Sequence, residues 1–233
     1  MLESKLRTPI SYEDVALVYA RDYARALDTD WGRKYAEQDA RFKTLNLVGS
    51  VGGALDIHVA IDPASGTPVL PVAQTLQDVI EQHRARGNPG QFGLLSIDDA
   101  FVIVPTAKRG TDGRLVPEQS PLDSPISFPV AVRSGAETLK VICDAVSNAS
   151  GRKVGGGSAP KLLFNTVVEA GADHEVAQDV LVRAWRGLHW ADGRNFPPIP
   201  KMSWRLLCGP NRAMTTVPSL ADVSCALNLQ TVQ

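Results

Sequence analysis

Gly155-Gly156-Gly157-Ser158, beside Arg152 and Lys153, comes nearest in this chain to a loop that could hold a phosphate. Such a loop needs spaced glycines followed by Lys-Ser/Thr at a helix N-terminus, so that backbone amides and the lysine meet the phosphates. Here Ser158-Ala159-Pro160-Lys161 follows, and Leu162 to Val168 reads as a strand, so a flexible turn is expected. The four histidines, His58, His83, His174 and His189, are scattered, with no Ser, Cys or Asp at a spacing diagnostic of a nucleophile's base. Asp62 and the pair Asp98-Asp99 are candidates for acid/base work. The pair reads better as a hairpin turn, where aspartate tolerates turn backbone and stays in water. Cys143, Cys208 and Cys225 form no C-x-x-C and have no closely spaced histidine, which leaves metal ligation without support. They read as buried thiols; the alternative is one disulfide, Cys208 with Cys225, in an oxidising compartment. No catalytic residue, cofactor or metal is assigned on these grounds.

The aromatic residues carry more. Trp185, Trp190, Phe196 and Trp204 concentrate around a stretch, 190–200, that holds Pro197, Pro198 and Pro200. Trp185 and Trp204 fall on a helix and a strand and are expected in the core. Trp190 and Phe196, with Asp192-Gly193-Arg194 between them, are the candidate binding residues, Arg194 included. Prolines cut the entropy lost when a loop is ordered on binding, and aromatic rings supply apolar area at small rotamer cost. Local packing of the two rings over their own core is the equal alternative.

The elements that must position these residues repeat. Thr8-Pro9-Ile10-Ser11-Tyr12 returns as Ser124-Pro125-Ile126-Ser127-Phe128, Gln77-Asp78-Val79-Ile80 as Gln178-Asp179-Val180-Leu181, and Phe92-Gly93-Leu94-Leu95 as Trp204-Arg205-Leu206-Leu207. The order is the same each time, which predicts two related small α/β units. In the first, a helix capped by Ser11 carries Val15, Val18, Tyr19, Tyr23, Ala26 and Leu27 on its inner stripe. Strands follow over 44–51 and 55–61, then a helix from Leu76 to Arg86 capped by Thr75, with Leu76, Val79, Ile80 and His83 inward. A hairpin, Phe92 to Val104 turning at Asp98-Asp99, closes the unit. In the second, Ile126 to Val132 is extended and broken by Pro129, and a helix follows Ser134 or Gly135 with Leu139, Ile142, Cys143 and Val146 inward. A strand over 162–168 leads to a helix from His174 to Gly187 capped by Asp173. A hairpin with strands Met202 to Leu207 and Ala213 to Val217 ends the unit. The expected division is a first domain over 1–105, a linker over 106–124, a second domain over 125–217 with the insertion 190–200, and a tail over 218–233. Leu220, Val223, Leu227 and Leu229 in that tail need cover, since each is worth about 1.5–3 kcal/mol when buried.

Composition narrows the function classes. The chain has 233 residues, 44% hydrophobic and 21% charged, with 24 basic and 25 acidic side chains. That is an ordinary globular composition. A net charge of −1 without a dense Lys/Arg cluster argues against nucleic acid as a partner. Gly151-Arg152-Lys153-Val154-Gly155 can be set beside the backbone-clamping loop of a KH domain, but no basic face surrounds it. No apolar run approaches the roughly 20 residues that cross a bilayer. The opening Met1-Leu2-Glu3-Ser4-Lys5-Leu6-Arg7 has no apolar signal region. The expected compartment is the periplasm or cell envelope if an export signal has been removed, and the cytoplasm otherwise.

The second unit resembles the short N-terminal domain shared by secretins and TonB-dependent receptors. The matching residues are Ala136 to Val146, Ser150-Gly151, Leu162 to Val168, Asp173 to Leu181, and the hairpin around Gly209-Pro210-Asn211. The first unit matches from Leu55 to Val104. The resemblance implies an envelope protein whose small domains pack against partner proteins or other copies, and it brings no catalytic residues.

The reading from sequence is therefore an α+β protein of two related small domains, each with helices on a small mixed sheet ending in a hairpin. It acts as a non-enzymatic binding or assembly module, with a protein partner or self-association. The alternative is an enzyme, such as a hydrolase, or a small-molecule-binding protein with its site in the cleft between the copies.

Overall fold

A computed structural model describes residues 8–15, 17–19, 48–50, 62–65, 69–85, 90–109, 114–193, 197–210 and 223–232. Strands from both ends of this chain meet in one sheet. It contains β1 (Ile10–Asp14), β4 (Gly90–Ile97), β5 (Ala100–Arg109), β6 (Leu115–Pro117), β8 (Lys153–Gly156), β11 (Met202–Pro210) and β12 (Val223–Thr231). Their order is β4-β5-β1-β11-β12-β8, with β6 paired to β5. β1 runs parallel to both β5 and β11, and β8 parallel to β12, while the two hairpins β4–β5 and β11–β12 are antiparallel. A second sheet is antiparallel, ordered β10 (His189–Trp190), β9 (Thr166–Val176), β7 (Pro125–Ser134), and β2 (Leu17–Tyr19) pairs with β3 (Val48–Ser50). The described residues also include three α-helices: α1 (Val72–Ala85), α2 (Gly135–Ser150) and α3 (Ala177–Arg186).

The protein is mixed α+β, as expected, but the tandem arrangement is not confirmed. The seven-stranded sheet takes β1, β4, β5 and β6 from before residue 125 and β8, β11 and β12 from after it. The main core likewise mixes the halves, with Val102, Leu122, Ile142, Leu181, Trp204 and Leu227 in one cluster. Each internal echo does fall on like elements: strands β1 and β7, helices α1 and α3, strands β4 and β11. Yet β1 is interior to the large sheet, whereas β7 is at the end of the small one.

The helix expected from Ser11 is a strand instead. Ile10, Ser11, Glu13 and Asp14 are all buried, because β5 and β11 flank β1 on its two sides. A ladder on both edges outweighs the weak local preference that Val15, Val18 and Tyr19 express. The segment expected as a linker, 106–124, carries the end of β5, then β6, then a 3-10 turn Pro121–Asp123 with a Ser120–Asp123 capping box. Glu118, Ser120, Pro121 and Leu122 are buried there. Glu118 accepts from Lys108 at 2.7 Å and Arg152 at 3.0 Å, tying the segment to β5 and to the turn after α2.

Other boundaries shift for identifiable reasons. Helix α1 starts at Val72, and Thr75 lies inside it, its hydroxyl donating to Leu70 O, while Leu76, Val79, Ile80 and His83 face inward as expected. The hairpin turns at Asp98-Asp99 as expected, with Asp98 at φ 53°. Ser134 caps α2 in a capping box with Glu137, and Gly151 ends it at φ 68°, a conformation glycine adopts freely. Gly155 and Gly156, expected in a flexible turn, belong to β8 and pair with β12. Residues 161–164 form a 3-10 turn, so the strand expected over 162–168 begins at Thr166. Asp173 and His174 lie in β9, and α3 starts at Ala177 without a side-chain cap. The strand opposite β11 is the tail, Val223–Thr231, which buries Val223, Leu227 and Leu229. The strand expected over 55–61, the one expected over 213–217, and Leu220 lie outside the described residues.

Candidate functional site

Trp190 is half-buried in β10, and its indole N–H donates to Pro197 O at 2.7 Å. That bond closes the start of the insertion onto its proline run. Phe196 and Arg194 lie outside the described residues. The end of the insertion, Ile199 and Pro200, with Lys201 and Met202 after it, lines a cavity of about 190 Å³ together with α3 and the β4–β5 turn. Val182, Trp185 and Leu188 come from α3 and the residues after it. Trp185 belongs to the inward stripe Ala177, Val180, Leu181, Ala184 and Trp185, which repeats at helical spacing, and Val182 is buried beside it.

The cavity rim is ionic. Arg186, in the last turn of α3, bonds to both Asp98 and Asp99, and Lys201 donates to Asp99 at 2.7 Å. Hydrogen bonds from Lys201 and then Arg186 hold the Asp99 carboxyl below its ordinary range. The turn aspartates thus receive partners from the helix and from the residue that follows the insertion. Sequence spacing could not supply those partners, because Arg186 and Asp98 stand 88 positions apart.

The strongest electrostatic feature is elsewhere. Glu13 on β1 is 0% exposed, and its carboxylate accepts from the Trp204 indole at 3.1 Å and from the Gln178 amide at 3.2 and 3.3 Å. Gln178 also donates to Asp123 at 2.8 Å, while Asp123 accepts from the Ser120 backbone N–H at 3.0 Å. Burial pushes the Glu13 carboxyl up to about 7, against lowering by hydrogen bonds from Ser120, Trp204 and Gln178. The helix expected from Ser11 hides this group, since it puts Glu13 in a first helical turn, where a carboxylate suits the helix dipole. Its chemistry is restricted by access: a general base must reach the proton it removes, and a fully covered carboxylate meets no substrate.

The remaining sequence candidates are dispersed. His83 packs edge-on against Phe92 with ring centroids 5.2 Å apart, His189 is exposed, and His174 sits in β9 at φ 54°. Asp62 caps its own turn, accepting from Ala64 N and the Ser65 hydroxyl. His58 lies outside the described residues. Cys208 and Cys225, directly opposed on β11 and β12, form a disulfide, and Cys143 is a buried free thiol pushed up to about 12 by burial. The bond joins the tail strand to β11, so the alternative of one disulfide between Cys208 and Cys225 holds and the reading of both as buried thiols does not.

The outer face of the small sheet exposes two valines of β7, beside the exposed Glu169 of β9, which pairs with Val132. Val130 and Val132, two residues apart on β7, are 70% and 63% exposed. β7 is bulged around Phe128 to Ala131, where a Cβ on Gly171 of β9 would come within 2.6 Å of the Val130 Cα. Any side chain at 171 would push β7 off β9. The Arg133 guanidinium donates to Pro129 O, Ala131 O and Ala170 O and sits 5.8 Å from the Phe128 ring centroid. These bonds occupy carbonyls along the bulge and leave the valine side chains as the exposed feature.

Comparison with known proteins gives no match: no family model, no curated protein and no solved structure is significantly similar to this chain.

Proposed function

We propose that this protein is a non-enzymatic binding and assembly module of the bacterial cell envelope that meets a protein partner through the outer face of β7. The carrying observation is the exposed pair Val130 and Val132 on one strand. Exposed apolar side chains grouped on one element favour association, whereas single ones need no explanation. Arg133 already closes carbonyls of Pro129 and Ala131, so the contact is made by side chains and not by adding a strand. The Cys208–Cys225 disulfide supports an oxidising compartment. The resemblance to the short N-terminal domain of secretins and TonB-dependent receptors points the same way. The internal echoes, which fall on like elements, support descent from a duplicated unit. Trp190, Arg194 and Phe196 on the insertion are a second contact in this proposal.

The enzyme reading has one observation in its favour, the convergence of Trp204, Gln178, Ser120 and Asp123 on Glu13. The burial of that carboxylate weighs against it.

Replacing Val130 and Val132 together by aspartate tests the proposal. The expected result is loss of association in sedimentation velocity with a melting temperature close to the parent's, since surface changes typically stay within about 0.5 kcal/mol. Association unchanged in the double variant would overturn the β7 contact.

A further inference from the structure

We infer that β4 pairs with the β4 of a second copy of this chain, antiparallel about a two-fold axis at Leu95, so that two large sheets become one. The contact does not use β7 and stands or falls independently of the proposal made for that face.

The first observation is an open edge. β4 ends the order of the large sheet, and among the described residues only β5 pairs with it. The Phe101 backbone N–H donates to Pro9 O at 3.0 Å, on the β1 side of β5. Ser96, directly opposite Phe101, therefore belongs to a pair without mutual ladder bonds, and so does Leu94 opposite Ile103. Leu94 and Ser96 turn their N–H and C=O away from β5, toward the open edge. Leu95 between them is 39% exposed, and Ser96 is exposed.

The second is a contrast with other edge strands. Open edges invite added strands, and proteins commonly blunt them. On β8 the Val154 N–H donates to the Ser147 hydroxyl oxygen at 2.9 Å, and Val154 O lies 3.0 Å from the same oxygen. On β7 Arg133 takes up Pro129 O and Ala131 O. β6 ends in Pro117, which has no N–H to offer. β4 reads Gly-Gln-Phe-Gly-Leu-Leu-Ser-Ile, with neither a proline nor a charge. Such an edge is fitted to receive another strand.

The third is self-complementarity. An axis at Leu95 sets Leu94 of each copy against Ser96 of the other. These are the residues whose backbone groups face outward, so each such pair exchanges both ladder bonds. The two Leu95 residues then meet on one face with Cα atoms about 4.5 Å apart, each covering the other's exposed apolar surface. No charge opposes the approach, because β4 has none and Asp98 and Asp99 beside it are matched by Arg186 and Lys201. An unrelated peptide would need a leucine at one given position, which the second copy brings by symmetry. The pair is closed, so association beyond two chains is left to the β7 face.

The test uses the full oxidised chain. Sedimentation equilibrium of the parent should show monomer and dimer with Kd on the order of 10 μM. Leu95→Lys puts a charge on the axis, and Ser96→Pro removes an outward N–H at an edge position. Each should weaken the dimer about tenfold or more, with a melting temperature close to the parent's. Leu95→Cys should form a disulfide-linked dimer in air on non-reducing gels, whereas Leu115→Cys, 47% exposed on β6, should not. The Val130→Asp, Val132→Asp chain should keep the Leu95→Cys link, so that loss of the β7 contact and loss of the β4 pair are read separately. A parent chain still monomeric at about 1 mM would overturn the inference. So would a dimer that neither substitution weakens, or linking from Leu115→Cys as fast as from Leu95→Cys.

Discussion

Gln178 and Glu13, 165 positions apart, are hydrogen bonded inside the protein, with the amide nitrogen 3.2 Å from one carboxylate oxygen and 3.3 Å from the other. The same nitrogen lies 2.8 Å from Asp123. One side chain on α3 therefore fastens β1, from the start of the chain, to the 3-10 turn that precedes β7. Two carboxylates near one amide, without a cation among the groups that set the Glu13 shift, favour the neutral acid.

This arrangement predicts a pH dependence of stability. Glu13 titrates near 4.5 when unfolded and near 7 when folded. Below about pH 4.5 it is neutral in both states and has no effect. As pH rises from there to 7 the unfolded chain releases its proton first, so stability falls, by about 3 kcal/mol in full. Glu13→Gln removes that loss. Urea midpoints at pH 5 and pH 8 should drop for the parent and stay closer together for the variant; parallel drops would contradict the assignment.

The disulfide closes a loop with a sequence separation of 17 residues. Replacing Cys208 and Cys225 by serine should cost about 3 kcal/mol in denaturant titration. Thiol titration should find no reactive cysteine in the native oxidised protein and one, Cys143, after unfolding. A native protein that reacts at once would contradict the burial of Cys143.

Buried and exposed charges should separate in their effects. Glu118→Ala leaves Lys108 and Arg152 without their shared carboxylate and should cost roughly 1–3 kcal/mol. Arg186→Ala at the exposed cavity rim should cost less than about 1 kcal/mol. Equal effects by thermal melts would show that 106–124 is not anchored through Glu118.

Truncation after Pro218 removes β12, which pairs with both β11 and β8. The expected outcome is loss of the cooperative transition in circular dichroism, not a lowered midpoint. Leu227→Ala, at a side chain with 0% exposure, should cost about 2–5 kcal/mol. A truncated chain that melts cooperatively near the parent temperature would contradict the position of β12.

Sequence was informative where structure is local. The α2 cap at Ser134, its stop at Gly151, the inward stripes of α1 and α2, and the two-residue turn at Asp98-Asp99 follow from contacts within a few positions, so periodicity and capping rules reach them. What failed depends on distant strands. Nothing near Ser11 indicates that β5 and β11 will flank it, and the apolar pattern of Leu227 and Leu229 shows a need for cover without naming the cover. The candidate site divides in the same way. Trp185 and the insertion were visible as an aromatic concentration, but the cavity they share with Asp99 arises only from folding. The exposure of Val132 depends on which face of β7 the rest of the fold covers, which alternation along 126–132 does not disclose.

The β7 contact is tested most directly by site-specific photo-crosslinking in cells that make the protein. A photoreactive residue is placed at Val132, at Val130, and at the exposed helix position Asp144 as a control. The account predicts one defined adduct from positions 130 and 132, with the same protein identified in both by mass spectrometry, and none from 144. No adduct from β7, or the same adducts from all three positions, would contradict it.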